Sequence, residues 1–124
     1  MPLITADQIV AHLVGDYILQ SHWMATSKRQ SSIAAGIHAA TYTIPFTLIT
    51  QNIYALLIIS ITHFFIDRFG LAAWVVWAKN GFPRDVGSHG FPKDTPPFLA
   101  VWLLIIVDNT LHIIINGLAI WMFP

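Results

Sequence analysis

The sequence contains no cysteine and no glutamate. Without cysteine it can form no disulfide, thiolate zinc site, iron–sulfur cluster or covalent c-type haem attachment. Without glutamate a ferritin-like site built on Glu-x-x-His is excluded. Every acid is an aspartate: Asp7, Asp16, Asp67, Asp85, Asp94 or Asp108. Charge is scarce too. Only 10% of the residues are charged, against about 25% in soluble domains. Six Lys and Arg balance six acids, so neither a nucleic-acid footprint nor a polybasic lipid patch is expected. No basic n-region opens the chain, and Asp7, His12 and Asp16 interrupt its first apolar stretch. A cleavable signal peptide is therefore not expected, and insertion would proceed through internal segments.

What is there is apolar. The 124 residues are 56% hydrophobic, enough for one domain (1–124), with a composition suited to lipid rather than water. Four segments read as helices, about 3–23, 32–50, 53–78 and 98–122. The first is the least apolar. Its His12, Asp16 and Gln20 recur at a spacing of four and form one stripe. The second is rich in Ala and Gly, carries His38, and is expected to kink at Pro45. The third is apolar up to His63 and Asp67, and its continuation through Trp74 and Trp77 suits a membrane interface. Residues 80–97 hold seven Gly and Pro residues and read as the one long loop. The fold class expected is all-α, an integral membrane four-helix bundle with that loop between helices three and four. Lys28 and Arg29, and the group Arg68, Lys79, Arg84 and Lys93, then fall on one side. The positive-inside rule places them in the cytoplasm and both termini outside, in a multi-pass protein of the bacterial inner membrane.

Three His–Asp pairs interrupt these segments: His12/Asp16, His63/Asp67 and, reversed, Asp108/His112. Residues four apart share a helix face, with Cβ atoms roughly 5–6 Å apart. An aspartate at a helix centre costs about 2.5–3.5 kcal/mol on insertion scales. Three of them approach the roughly 5–15 kcal/mol that holds an ordinary domain together, so something must offset them. Counted at roughly 1.5 Å per residue from the cytoplasmic ends, the pairs and His38 cluster in one half of the bundle. All four helices contribute. The expected ligands are His12, Asp16, His38, His63, Asp67, Asp108 and His112.

Seven ligands exceed the four of a structural zinc site and suit two ions, with a carboxylate bridging. Imidazole mixed with carboxylate favours a divalent transition metal such as Zn, Fe or Mn. Asp67, nearest the water, is also the candidate general base. Taken alone, His38 reads equally as a packing residue. His22 and His89 belong to surface stretches. Gln20, Asn109 and Asn116 read as hydrogen-bond partners rather than ligands. Two other readings fit the same residues: a proton or ion path, which would need an oligomer, and b-type haem on His38 and His112.

The stretch A-H-L-V-G-D-Y-I-L-Q, the early H-A at His38, T-H-F-F-I-D and D-N-T-L-H resemble a family of small bacterial and phage membrane proteins without an assigned activity. The family pattern is H-L-x-G-D-x-x-L-Q, H-A, H-x-x-x-D and D-Q-x-x-H, and Asn109 stands where the pattern has Gln. More distantly, the arrangement is similar to YdjM-type membrane-bound metal-dependent hydrolases and to zinc-dependent phospholipases C. That resemblance implies metal-assisted hydrolysis of a lipid or other membrane-associated phosphoester. The phospholipase's N-terminal Trp ligand has no counterpart here. A phage-borne protein could instead bind a host membrane partner, with a structural metal.

Overall fold

Capping side chains, a proline and a glycine set several of the helix ends. The computed structural model describes residues 2–124, and all regular elements among them are helical. Thr5 caps α1 (Ala6–Leu13) in a capping box with Gln8, each side chain taking the other's backbone N–H. Beyond Leu13 the turn widens to a π-helix over Val14–Ile18, where the Leu19 N–H reaches the Val14 carbonyl at 2.9 Å. Ser21 then caps the short α2 (His22–Ser27). The first segment, expected as one helix over 3–23, is therefore two short helices joined by a π turn. Asp16 lies within that turn, and π turns recur at functional sites.

Ser31 caps α3 (Ser32–Thr43). Pro45 has no N–H to continue the α ladder, and the chain tightens into a 3₁₀ turn over Ile44–Leu48, where the kink was expected. The third segment divides into α4 (Ile53–Phe69) and α5 (Leu71–Lys79). Between them Gly70 adopts φ 60° and ψ 44°, a left-handed conformation that glycine takes without Cβ strain. α6 (Pro97–Met122) is unbroken. The loop before it carries one isolated bridge between Val86 and Pro92.

The chain divides into two compact units. The first runs to Phe69 and takes up His112–Pro124, while the second comprises Gly70–Leu111. In the second, Val76, Phe91 and Ala100 form a small core, with Lys79 Nζ 5.2 Å above the Phe91 ring. In the first, α3 packs on α4, α2 and the π turn, and the 3₁₀ turn packs on α1. Ala11, Tyr42, Phe46, Ala55, Ile59, Ala119 and Ile120 form its apolar core. Its buried polar residues include His12, Asp16, His38, His63, Asp67, His112 and Asn116.

By length and composition one helix, α6, could cross a membrane, and its most apolar window is only 11% buried. α4 and α5 pass the same test only if counted together as one broken span. The first two segments are too short or too interrupted to count by this measure. The helices thus carry one or two candidate spans, where four were expected from hydropathy.

Gly15 determines how near α3 comes to the π turn. A Cβ at this position would lie 2.6 Å from Tyr42 Cδ2, 3.0 Å from the Tyr42 carbonyl oxygen and 3.2 Å from its Cα. Two of these are backbone atoms and cannot swing aside. Gly15→Ala is expected to destabilise the protein by about 1–3 kcal/mol, read as a lower thermal midpoint by circular dichroism in detergent. An unchanged midpoint would contradict the close approach.

Candidate metal centre

Helix periodicity sets the site. His38 and Tyr42 are four apart on α3, His63 and Asp67 on α4, and His112 and Asn116 on α6, so each pair presents one face. The π turn turns Asp16 toward the same point. His38 Nε2 lies 3.1 Å from Asp16 Oδ1 and 3.1 Å from Asp67 Oδ2. His63 Nε2 lies 3.4 Å and 3.2 Å from the same two oxygens. The two imidazole nitrogens are 2.9 Å apart. All four residues are buried, and their ligand atoms lie within 4.8 Å of one another.

With both carboxylates ionised, no placement of the imidazole protons satisfies every contact. With protons on both Nε2 atoms, two donors face each other at 2.9 Å. With either Nε2 bare, its lone pair points at carboxylate oxygens. In every case the Nδ1 atoms of His38 and His63 are buried with no hydrogen-bond partner, a cost of about 1–3 kcal/mol for each orphaned group. A cation at the centre removes the conflict at Nε2, because all four atoms then direct lone pairs at it. A tetrahedral ion with bonds of about 2.0–2.1 Å needs ligand atoms about 3.3–3.4 Å apart, and the His–His and His–Asp contacts, at 2.9 to 3.4 Å, would open slightly to admit one. The buried Asp and His groups could hold a metal ion.

The neighbouring residues lock this set. Tyr42, fully buried, stacks on the His63 ring with centroids 3.6 Å apart and planes 16° from parallel. Its hydroxyl accepts from Asn116 Nδ2 at 2.7 Å and lies 2.7 Å from His12 Nδ1. His12 Nδ1 is 3.6 Å from Asp16 Oδ2, too far for a hydrogen bond. His112 Nε2 sits 3.2 Å from Asp67 Oδ1, on the opposite oxygen of that carboxylate from the His38–His63 pair. Lys28 Nζ donates to Asp67 Oδ2 at 2.7 Å. Gln20 Nε2 donates to the Asp16 carbonyl at 2.9 Å.

A family model described as "Protein of unknown function (DUF3307)" matches residues 4–123. The chain belongs to that family. No curated protein and no solved structure matches it. The likeness of this DUF3307 chain to YdjM-type hydrolases and to zinc-dependent phospholipases C therefore rests on the motifs alone.

Of the seven residues expected in the DUF3307 site, six come together in the first unit. Asp16, His38, His63 and Asp67 form the four-group set. His112 touches Asp67, and His12 reaches the set through Tyr42. Asp108 is half-buried on α6, one turn before His112, and belongs to the second unit. His22 is exposed, and His89 Nδ1 accepts the Phe91 N–H within its own loop. His38 and His112, the alternative haem pair, have their Nε2 atoms on the two oxygens of Asp67, so a carboxylate stands where haem iron would.

Two contributors were not anticipated. Tyr42 continues the His38 stripe by four residues, a spacing visible in the sequence but obscured because tyrosine passes as core. Lys28 was assigned to a solvated turn, although its turn and Asp67 were both placed at the cytoplasmic side. Tyr42→Phe keeps the ring but takes from Asn116 Nδ2 its buried acceptor. It is expected to cost about 1–3 kcal/mol, measured as a lower unfolding midpoint. A loss below a few tenths would contradict the buried network.

Proposed function

We propose that this DUF3307 chain is a multi-pass inner-membrane metalloprotein whose Asp16–His38–His63–Asp67 centre hydrolyses a membrane-associated phosphoester or lipid. The observation that carries the metal reading is the convergence of His38 Nε2 and His63 Nε2 on two carboxylate oxygens. Zinc suits the donor set and the tetrahedral spacing, while Fe and Mn share its ligand chemistry.

The membrane reading draws support from the distribution of polarity. Large apolar side chains such as Ile18, Ile33, Leu48, Phe98 and Trp102 are exposed, while six histidine and aspartate residues of the first unit are buried. A helix in the core of a water-soluble protein would be mostly buried, unlike α6. Lys28, Arg29 and Arg68 are the only Lys and Arg residues of the first unit. The positive-inside rule assigns their edge to the cytoplasm and the termini to the outside. Lipids are then the surrounding partner, and self-association is an open outcome of sizing in detergent.

A zinc-class ion here supplies Lewis acidity toward water and toward a phosphoryl or carbonyl oxygen. Asp67 Oδ2 is held by Lys28, His38 and His63, and Oδ1 by His112. With both oxygens engaged, Asp67 acts as a ligand, and the base role first expected of it passes to His112. The four-group set accounts for one ion. A second would use Asp67 Oδ1 with His112 and make Asp67 a bridge.

Elemental analysis of protein purified from membranes is expected to give about one transition metal per chain, or two if Asp67 bridges. His38→Ala and His63→Ala are each expected to lose most of it. Less than half an equivalent in native protein, with no uptake on add-back, overturns the reading. Metal-replete protein that cleaves no phosphodiester or phospholipid in detergent overturns the hydrolase assignment. It then favours the second reading, a charge relay, which the contact sequence Asp16–His38–Asp67–Lys28 supports. Proton flux in liposomes that persists with chelator and stops in Asp16→Asn would establish that alternative.

A further inference from the structure

Among the described residues, Lys28 is the Lys or Arg side chain seen to reach the buried set. It caps the C-terminal end of α2, its Nζ donates to Asp67 Oδ2 at 2.7 Å, and its side chain remains 20% exposed. It therefore joins the buried carboxylate to the water. The other two basic residues of the first unit lie at the same edge. Arg68 directly follows Asp67, and its guanidinium donates to the Arg29 carbonyl at 2.6 Å and to Ser32 Oγ at 3.1 Å. Arg29 directly follows Lys28 and is exposed. The remaining acid of the unit, Asp7, is in the first turn of α1, nine residues before Asp16. No aspartate other than the two in the set balances this edge.

The charge count gives the edge a purpose. Asp16 and Asp67 carry two negative charges, which one divalent ion neutralises, with the imidazoles neutral as ligands must be. Lys28 then leaves one positive charge in excess at a largely buried position, with Arg29 and Arg68 beside it. Uncompensated charge in such a place is costly unless paired. A phosphate oxygen matches both the ammonium and the planar guanidinium donors.

Resting on the metal reading above, we propose that Lys28, with Arg29 and Arg68, is the anion-recognition edge of the centre, and that its ligand carries a phosphate group. Lys28 is a specificity residue. It pairs with Asp67 when no anion is present and shares its remaining donors with a phosphate oxygen when one binds. A phosphomonoester lipid headgroup and a free phosphate offer the same chemistry, so both are used as probes.

The test uses full-length protein in detergent, loaded with zinc and verified by elemental analysis. Inorganic phosphate and dihexanoyl phosphatidic acid are each titrated by calorimetry. Saturable binding of at least one is expected, and tighter binding of the lipid would identify the source as a headgroup. Loss of one charged hydrogen bond predicts at least about tenfold weaker binding in Lys28→Met, with zinc content unchanged. Lys28→Arg is expected to retain most of the affinity. Arg84→Gln, in the second unit, is expected to bind as the native protein does. No zinc uptake by the native protein overturns the metal reading and this proposal with it. Full zinc uptake with no binding of either probe, or unchanged binding in zinc-replete Lys28→Met, overturns this proposal alone. If Lys28→Met fails to fold, added chloride and phosphate are compared on native protein. Equal competition by both at the same ionic strength shows unspecific charge and likewise overturns it.

Discussion

Two imidazole nitrogens 2.9 Å apart, each facing the same two carboxylates, are the constraint on which the first unit depends. With both carboxylates ionised, every placement of the imidazole protons leaves at least one of these contacts unfavourable, which the surrounding fold or a bound cation must offset. Much of the unit's local detail serves that closeness. The π turn carries Asp16 toward the centre, Gly15 admits the backbone of Tyr42, and the Tyr42 ring lies flat on His63. Asn116 and His12 then tie down the Tyr42 hydroxyl. Each of these residues is ordinary by itself. Together they bring four potential ligand atoms within 4.8 Å of one another.

The same unit reverses the usual placement of polar and apolar groups. Leu48 and Ile18 face outward at 91% and 74% exposure, while His12, His38, His63 and His112 are almost wholly enclosed. In water this arrangement would expose apolar surface and bury ionisable groups, both unfavourable. In lipid the first cost disappears. The second is met by mutual contacts within the cluster and by Lys28, which brings one positive charge to Asp67. The broken form of the first two segments has the same origin. Helices that must bend around a polar centre give up length, and a π turn and a 3₁₀ turn supply the bend.

Spacing made the site legible where each ligand sat on a regular helix. His63/Asp67 follows from a period of four on α4, a direct consequence of helix geometry, and the lone His38 from its depth along the neighbouring segment. The break in the first segment was not legible, because a π turn requires no forbidden residue and leaves the stripe His12, Asp16, Gln20 intact in the sequence. Pro45 could be read because proline removes a donor outright. Gly70 could not, since a glycine within an apolar run also fits a continuous helix. The number of helices long and apolar enough to span differs from the expected four for the same reason, as hydropathy counts apolar residues without seeing where helices stop. Lys28 was missed because a long side chain on a turn can reach inward as well as outward.

X-ray absorption at the zinc edge of zinc-loaded protein tests the centre most directly. The account predicts a single first shell of four nitrogen and oxygen ligands at about 2.0–2.1 Å, with the outer-shell scattering of two imidazoles. His38→Ala and His63→Ala should each remove one imidazole from that pattern. A longer six-coordinate oxygen shell without imidazole scattering would show zinc bound elsewhere, and would contradict the assignment of the Asp16–His38–His63–Asp67 set as its site.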